Sequence, residues 1–184
     1  ATIAGGFLRG LLDAGITPTA KHGLRWIRTC SAPRSMPLSL NLRLRTGWPF
    51  QAVLSVRGVA IMLSHVALTA ADTGISVSRS KRVVSGLLRD QWGFDGVAIT
   101  DDLTMGAVEH AGLCRAVEGA LNAGIDLLLV SWDTDKAYPA LRFALDALAA
   151  GRLNRQMLER SAARLDRLAA AKPGSNDGNS AAAH

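Results

Sequence analysis

Three short groups of residues have the types and placement to do chemistry: Lys21-His22, His65 and Asp101-Asp102. The last group closes the stretch Gly93-Phe94-Asp95-Gly96-Val97-Ala98-Ile99-Thr100. Two glycines punctuate its turn, and the apolar run after them is what a strand buried on both faces requires. A carboxylate where such a run stops stands at the C-terminal end of the strand, where parallel α/β proteins keep their reacting groups. The competing reading is structural, because an Asp in that position also caps the helix that follows. Lys21-His22 and His65 bear on the choice, since each closes an apolar run of its own. One polar strand end is usually structural. Three in succession on one face form the layout of an active-site rim.

The elements that must position them follow from periodicity. Residues 1–14 are expected to be helical, with Ile3, Phe7 and Leu11 on one face and Gly15 ending the helix. Ile16 to Ala20 reads as a strand running into Lys21-His22, a βαβ unit met halfway through. Residues 23–45 show neither helical nor strand spacing. Phe50 to Val56 fits a short helix, and Gly58 to Ser64 a buried strand with His65 at its end. Ser78 is expected to cap a helix of about 13 residues whose inner face is Val83, Val84, Leu87 and Leu88. Leu113 to Ala123 is a helix stopped by Gly124, and Ile125 to Val130 a fourth buried strand. Leu141, Leu145 and Leu148 mark a helix ending at Gly151. Asn154 caps a last one with Leu158, Ala162 and Leu165 inward. Residues 171–184 read as a polar, disordered tail. Four strands alternating with helices predict an α/β fold with a parallel sheet.

Composition narrows the partners. Of 184 residues, 48% are hydrophobic and 20% charged, which fits a soluble globular chain. No run approaches the ~20 apolar residues of a membrane span, and no signal peptide opens the chain, so no membrane is expected. The net charge is +6, but Lys21, Arg25, Arg28, Arg34, Arg43 and Arg45 carry all of it. Without those six, 15 basic residues face 15 acidic ones. A nucleic-acid surface asks for aromatics interleaved on a basic face, and only Trp26 and Trp48 stand near this segment. No nucleic acid is expected. Cys30 and Cys114 form no metal-ligand spacing and suit a reduced, cytoplasmic setting.

The motifs then resemble a known family. Thr19-Ala20-Lys21-His22, Ile61-Met62-Leu63-Ser64-His65, Leu87-Leu88-Arg89, the block from Gly93 through Thr100-Asp101-Asp102-Leu103-Thr104-Met105, and Ala123-Gly124-Ile125-Asp126-Leu127-Leu128-Leu129-Val130 together resemble glycoside hydrolase family 3. The match is to its bacterial β-N-acetylglucosaminidases (β-N-acetylhexosaminidases). Order and spacing agree from about residue 47 to 170. The resemblance implies a partial (β/α)8 TIM barrel, about four parallel strands with flanking helices, in which residues 1–170 form the second half of the barrel. By the same resemblance Asp101 is the nucleophile of a retaining mechanism, attacking the anomeric carbon to form a glycosyl-enzyme that water clears. Lys21 and His22 would hydrogen-bond sugar hydroxyls, His65 would line the pocket, and Asp102 would fix the loop or a neighbouring side chain. The implied substrate is a terminal β-linked N-acetylglucosamine from peptidoglycan turnover, with no metal or organic cofactor.

One segment departs from the family. There Lys-His continues into Phe-Pro-Gly-His-Gly and then Asp-Ser-His, whose Asp and His form the general acid/base pair. Here Lys21-His22 runs into Gly23-Leu24-Arg25-Trp26-Ile27-Arg28-Thr29, and the pair is absent. Codons that spell Arg25 to Thr29 can, one frame over, spell Val-Asp-Ser-His, the Asp being forced by the Trp26-Ile27 pair. The lack of periodicity and of acids through residues 23–45 is what a coding frameshift, closed before Trp48, would leave.

Overall fold

The computed structural model describes residues 2–23, 53–67, 72, 74–105 and 112–170. Residues 24–45 of the irregular segment, the start of the expected Phe50–Val56 helix and the tail 171–184 lie outside them. The described elements are α1 (Thr2–Asp13), β1 (Thr19–Gly23), β2 (Ala60–Leu63), a 3-10 turn (Val77–Arg79), a π-helix (Arg82–Gln91), β3 (Ala98–Asp102), α2 (Leu113–Ala123), β4 (Leu127–Leu129), a 3-10 turn (Thr134–Lys136), α3 (Ala137–Ala149) and α4 (Arg155–Ala170). The four strands form one sheet in the order β1-β2-β3-β4, and every pair is parallel. This is a partial (β/α)8 architecture, with strands and helices alternating as the sequence predicts.

The core explains the register. Ile61, Leu63, Ala98, Phe94, Ile125 and the π-helix face of Val83, Val84, Leu87 and Leu88 are all almost fully buried in one cluster. Each large side chain there contributes about 1.5–3 kcal/mol on burial. The π winding differs from the α-helix that the spacing predicts, yet the same four residues turn inward. Their separations of four and five serve either winding, so burial could not distinguish them.

Gly96 is fixed by backbone proximity. A Cβ there would collide with the carbonyl oxygen of Val59 and with the Phe94 ring. Only glycine lets the turn before β3 come so close to the start of β2. Gly15, Gly124 and Gly151 have φ of +73°, +103° and +69° and end α1, α2 and α3 as expected.

Several expectations are corrected. Ile3 and Phe7 on α1 are 91% and 69% exposed, and Leu8 is the buried contact instead. Leu141 and Leu145 mark α3 correctly but point outward, because Ala140 and Ala147 supply its buried side. On α4, Asn154 accepts the N–H of Met157 at 3.3 Å as a cap should, while Ala162 is exposed and Ser161 is buried in its place. Leu158 and Leu165 are half-buried as expected, and so are Met157 and Arg164, the latter drawn inward by a carboxylate. β4 is less buried than its apolar run implies, with Leu127 40% exposed. Among the described residues it is an edge strand, with a neighbour on one side only.

That carboxylate is Asp126, whose side chain is fully buried. Its Oδ1 accepts from Nε and Nη2 of Arg164 at 3.0 and 2.8 Å. Its Oδ2 accepts from Nη2 of Arg89 at 2.7 Å and from the N–H of Ala98 at 2.8 Å. Arg89 also donates to the carbonyls of Phe94 and Gly96 at 3.0 and 2.5 Å. Burial pushes the Arg89 guanidinium pKa down, against the opposing pull of Asp126. The cluster ties the start of β3 to the π-helix and to α4.

Candidate active site

The residues that matter lie at the opposite end of β3. Along this strand Ala98, Thr100 and Asp102 are buried, while Ile99 and Asp101 are partly exposed, as the alternation of a strand requires. Asp101 therefore leaves the sheet on the opposite face from Asp102. Thr100 Oγ1 accepts the N–H of Leu129 at 3.0 Å, which fastens β3 to β4 just below the pair.

Asp101 has two distinct oxygens. Oδ1 accepts the backbone N–H of Asp102 at 3.0 Å. Oδ2 stands 3.6 Å from Nε2 of His22, whose side chain is 26% exposed against 19% for Asp101. That separation is longer than a hydrogen bond and short enough for a protonated imidazole to attract the carboxylate. Among the described residues one oxygen is thus held and the other accepts no hydrogen bond. His22 and the exposed Lys21 sit together near the end of β1, joined by a cis peptide bond.

Asp102 has a different task. Its bonds run to the turn that follows it and to the residues after β4. Its Oδ1 accepts the N–H and hydroxyl of Thr104 at 2.8 and 2.7 Å, a local turn bond of the kind Asp favours. Its Oδ2 accepts the Ser131 N–H at 3.2 Å, the Ser131 hydroxyl at 2.5 Å and the Trp132 N–H at 2.8 Å. Burial raises the pKa of the group, but the bonds from Ser131, Thr104 and Trp132 outweigh it and hold the carboxyl well below the usual carboxylate range.

His65 is engaged on both nitrogens. Nε2 lies 3.0 Å from the carbonyl oxygen of Asp102 and Nδ1 lies 2.9 Å from Ser78 Oγ. A carbonyl only accepts, so Nε2 carries the proton, and in the neutral ring Nδ1 accepts the Ser78 hydroxyl hydrogen. Ser78, expected to cap the helix, is instead the partner of His65. The 3-10 turn at Val77–Arg79 intervenes, and Ser80 Oγ accepts the Val83 N–H at the helix start. Neither ring nitrogen of His65 is left for a ligand.

The structure thus brings His22 and Asp101 together, leaves Lys21 exposed next to His22 in the chain and sets His65 behind as a brace. The sequence reading singles out none of Thr104, Ser131 and Trp132, and Ser78 only as a helix cap. Ser131-Trp132 had a signal, because they follow the fourth strand as the other three groups follow theirs. Met105 is 47% exposed. Among the described residues no three His, Cys, Asp or Glu side chains converge as a metal group, and no helix is long and apolar enough to cross a membrane.

Comparison with known proteins agrees with this architecture. Residues 1–168 match the model of the glycosyl hydrolase family 3 N-terminal domain. The chain is 31% identical over 183 residues to the β-hexosaminidase LpqI of Mycobacterium tuberculosis, covering 93% of this chain and 46% of that protein. It is 34% identical over 147 residues to a β-hexosaminidase of Pseudomonas aeruginosa, covering 77% and 44%. Among solved structures, the family 3 β-N-acetylglucosaminidase of Paenibacillus superposes with a TM-score of 0.79 at 31% identity, over 96% of this chain and 35% of that one. The chain spans about half the length of the curated relatives it matches. With its parallel sheet, its Asp101 at the end of β3 and its match over residues 1–168, the chain belongs to glycoside hydrolase family 3.

Proposed function

We propose that the chain carries the nucleophile side of a retaining hexosaminidase site that removes terminal β-linked N-acetylglucosamine. The observation that carries this is the pair of unequal oxygens on Asp101: Oδ1 is held by the Asp102 N–H, and Oδ2 is open toward His22. A carboxylate with one oxygen fixed and one free presents a lone pair in a defined direction, as attack on an anomeric carbon requires. Lys21 and His22 would grip sugar hydroxyls at the same rim. The four strands would correspond to the second half of the barrel, the rest of the pocket belonging to the other half. Peptidoglycan turnover would supply the substrate, as the family resemblance implies, and the cysteine usage fits a cytoplasmic setting.

Activity would be impaired for natural leaving groups. Residues 23–45 contain no Asp-Ser-His, and losing a general acid costs about 10²–10⁴ in rate. The same observation favours a second reading, an inactive member with at most a saccharide-binding role. Hydrolysis of aryl N-acetyl-β-glucosaminides separates the two. On the first reading turnover is measurable with a 2,4-dinitrophenyl leaving group, falls steeply with poorer ones and disappears in Asp101→Ala. A folded sample with no turnover on any of them, or an active Asp101→Ala, contradicts it.

A further inference from the structure

Asp102 takes no part in the reaction proposed above, yet it is 7% exposed and accepts five donated hydrogens. A local turn explains only the two from Thr104. The other three come from Ser131 and Trp132, across β4. The backbone of Asp102 is held as well, because its carbonyl accepts from His65 Nε2 at 3.0 Å. What remains is its N–H, and that donates to Asp101 Oδ1.

We propose that Asp102 is a positioning residue for Asp101: by tying the turn after β3 to the turn after β4, it aims the N–H that holds Oδ1 and leaves Oδ2 facing the sugar. The inference rests on the reading of Asp101 as the nucleophile. It requires the carboxylate form, since all five partners point hydrogens at its two oxygens. An amide at this position would set its own hydrogens against three donors on the Ser131–Trp132 side, or against two on the Thr104 side. Either choice turns the peptide between residues 101 and 102 and swings Asp101 away from the anomeric carbon.

The test is covalent labelling by a 5-fluoro-N-acetyl-β-glucosaminyl fluoride. Asp101 Oδ2 forms an ester bond to C1 as the C1–F bond breaks, and fluoride leaves with the electron pair. No proton is needed, so the acid/base segment does not enter. The wild-type protein is expected to gain one sugar on Asp101, seen by peptide mass. Asp102→Asn is expected to label about 100-fold more slowly, the scale of an ångström-sized misplacement, at an unchanged half-saturating concentration. The double variant Thr104→Ala/Ser131→Ala retains Asp102 and is expected to label about 10-fold more slowly, so the inference is decided even where Asp102→Asn does not fold. A purely structural role would lower the melting temperature and leave the rate per folded molecule unchanged. Wild-type labelling at Asp101 with normal rates in both variants overturns the inference alone. A wild-type protein that takes no label at Asp101 overturns the nucleophile reading and this inference with it.

Discussion

His22 Nε2 and Asp101 Oδ2 stand 3.6 Å apart, although the strands that carry them are separated by β2. The contact therefore reaches across a whole strand above the sheet, which happens only where side chains converge on one rim. The two residues are far apart in sequence. A polar pair left open on the C-terminal side of a parallel sheet is placed to receive a ligand.

If His22 holds a sugar hydroxyl beside Asp101, His22→Ala removes a hydrogen bond worth about 1.5–3 kcal/mol. That corresponds to a loss of about 10- to 100-fold in kcat/KM for an aryl N-acetyl-β-glucosaminide. Thermal stability is expected to stay within a degree or two, because the ring is partly exposed. Steady-state kinetics on the purified variant, with unchanged circular dichroism, checks this.

Asp102 links structure to pH. Its folded pKa lies below that of the unfolded chain, so the stability it contributes is fully present above the unfolded value of about 3.9 and is lost as pH falls through the folded one. The difference in unfolding free energy between wild type and Asp102→Asn is expected to be constant from pH 7 to about pH 5. It narrows only below about pH 4. Urea titrations across that range measure it, and a difference that is largest at low pH would contradict the assignment.

Asp126 makes a stability prediction independent of catalysis. It is a fully buried carboxylate serving two guanidiniums and the N–H of Ala98. Asp126→Asn leaves Arg89 and Arg164 uncompensated and is expected to cost about 3–5 kcal/mol, as breaking a buried pair does. Arg164→Ala leaves Arg89 in place and is expected to cost less. Chemical denaturation of both variants gives the order.

Much of this was legible in the residues. Alternating apolar runs and glycine stops placed the four strands and the ends of α1, α2 and α3, because those signals are local. The rim was legible too, since a polar residue that ends an apolar run reports its own position. What was hidden depends on long-range pairing. Arg164 reads as a solvent-facing arginine until Asp126 is seen to draw it in. The sequence offers Ser78 as a helix cap until a 3-10 turn delays the helix and His65 takes the hydroxyl. Leu141 and Leu145 look like core until Ala140 and Ala147 are found to be the buried positions of α3.

The central claim is that Asp101 attacks the anomeric carbon, and azide tests it most directly. Removing the side chain in Asp101→Ala opens the α face of the bound sugar, so azide can displace an activated aryl leaving group there. The account predicts that Asp101→Ala is inactive alone and, with azide and a 2,4-dinitrophenyl N-acetyl-β-glucosaminide, yields the α-glycosyl azide by NMR. The wild-type protein is predicted to give the β-azide, formed from the glycosyl-enzyme by a second inversion. An Asp101→Ala protein that returns the β-azide, or that hydrolyses the substrate at the wild-type rate, would contradict it.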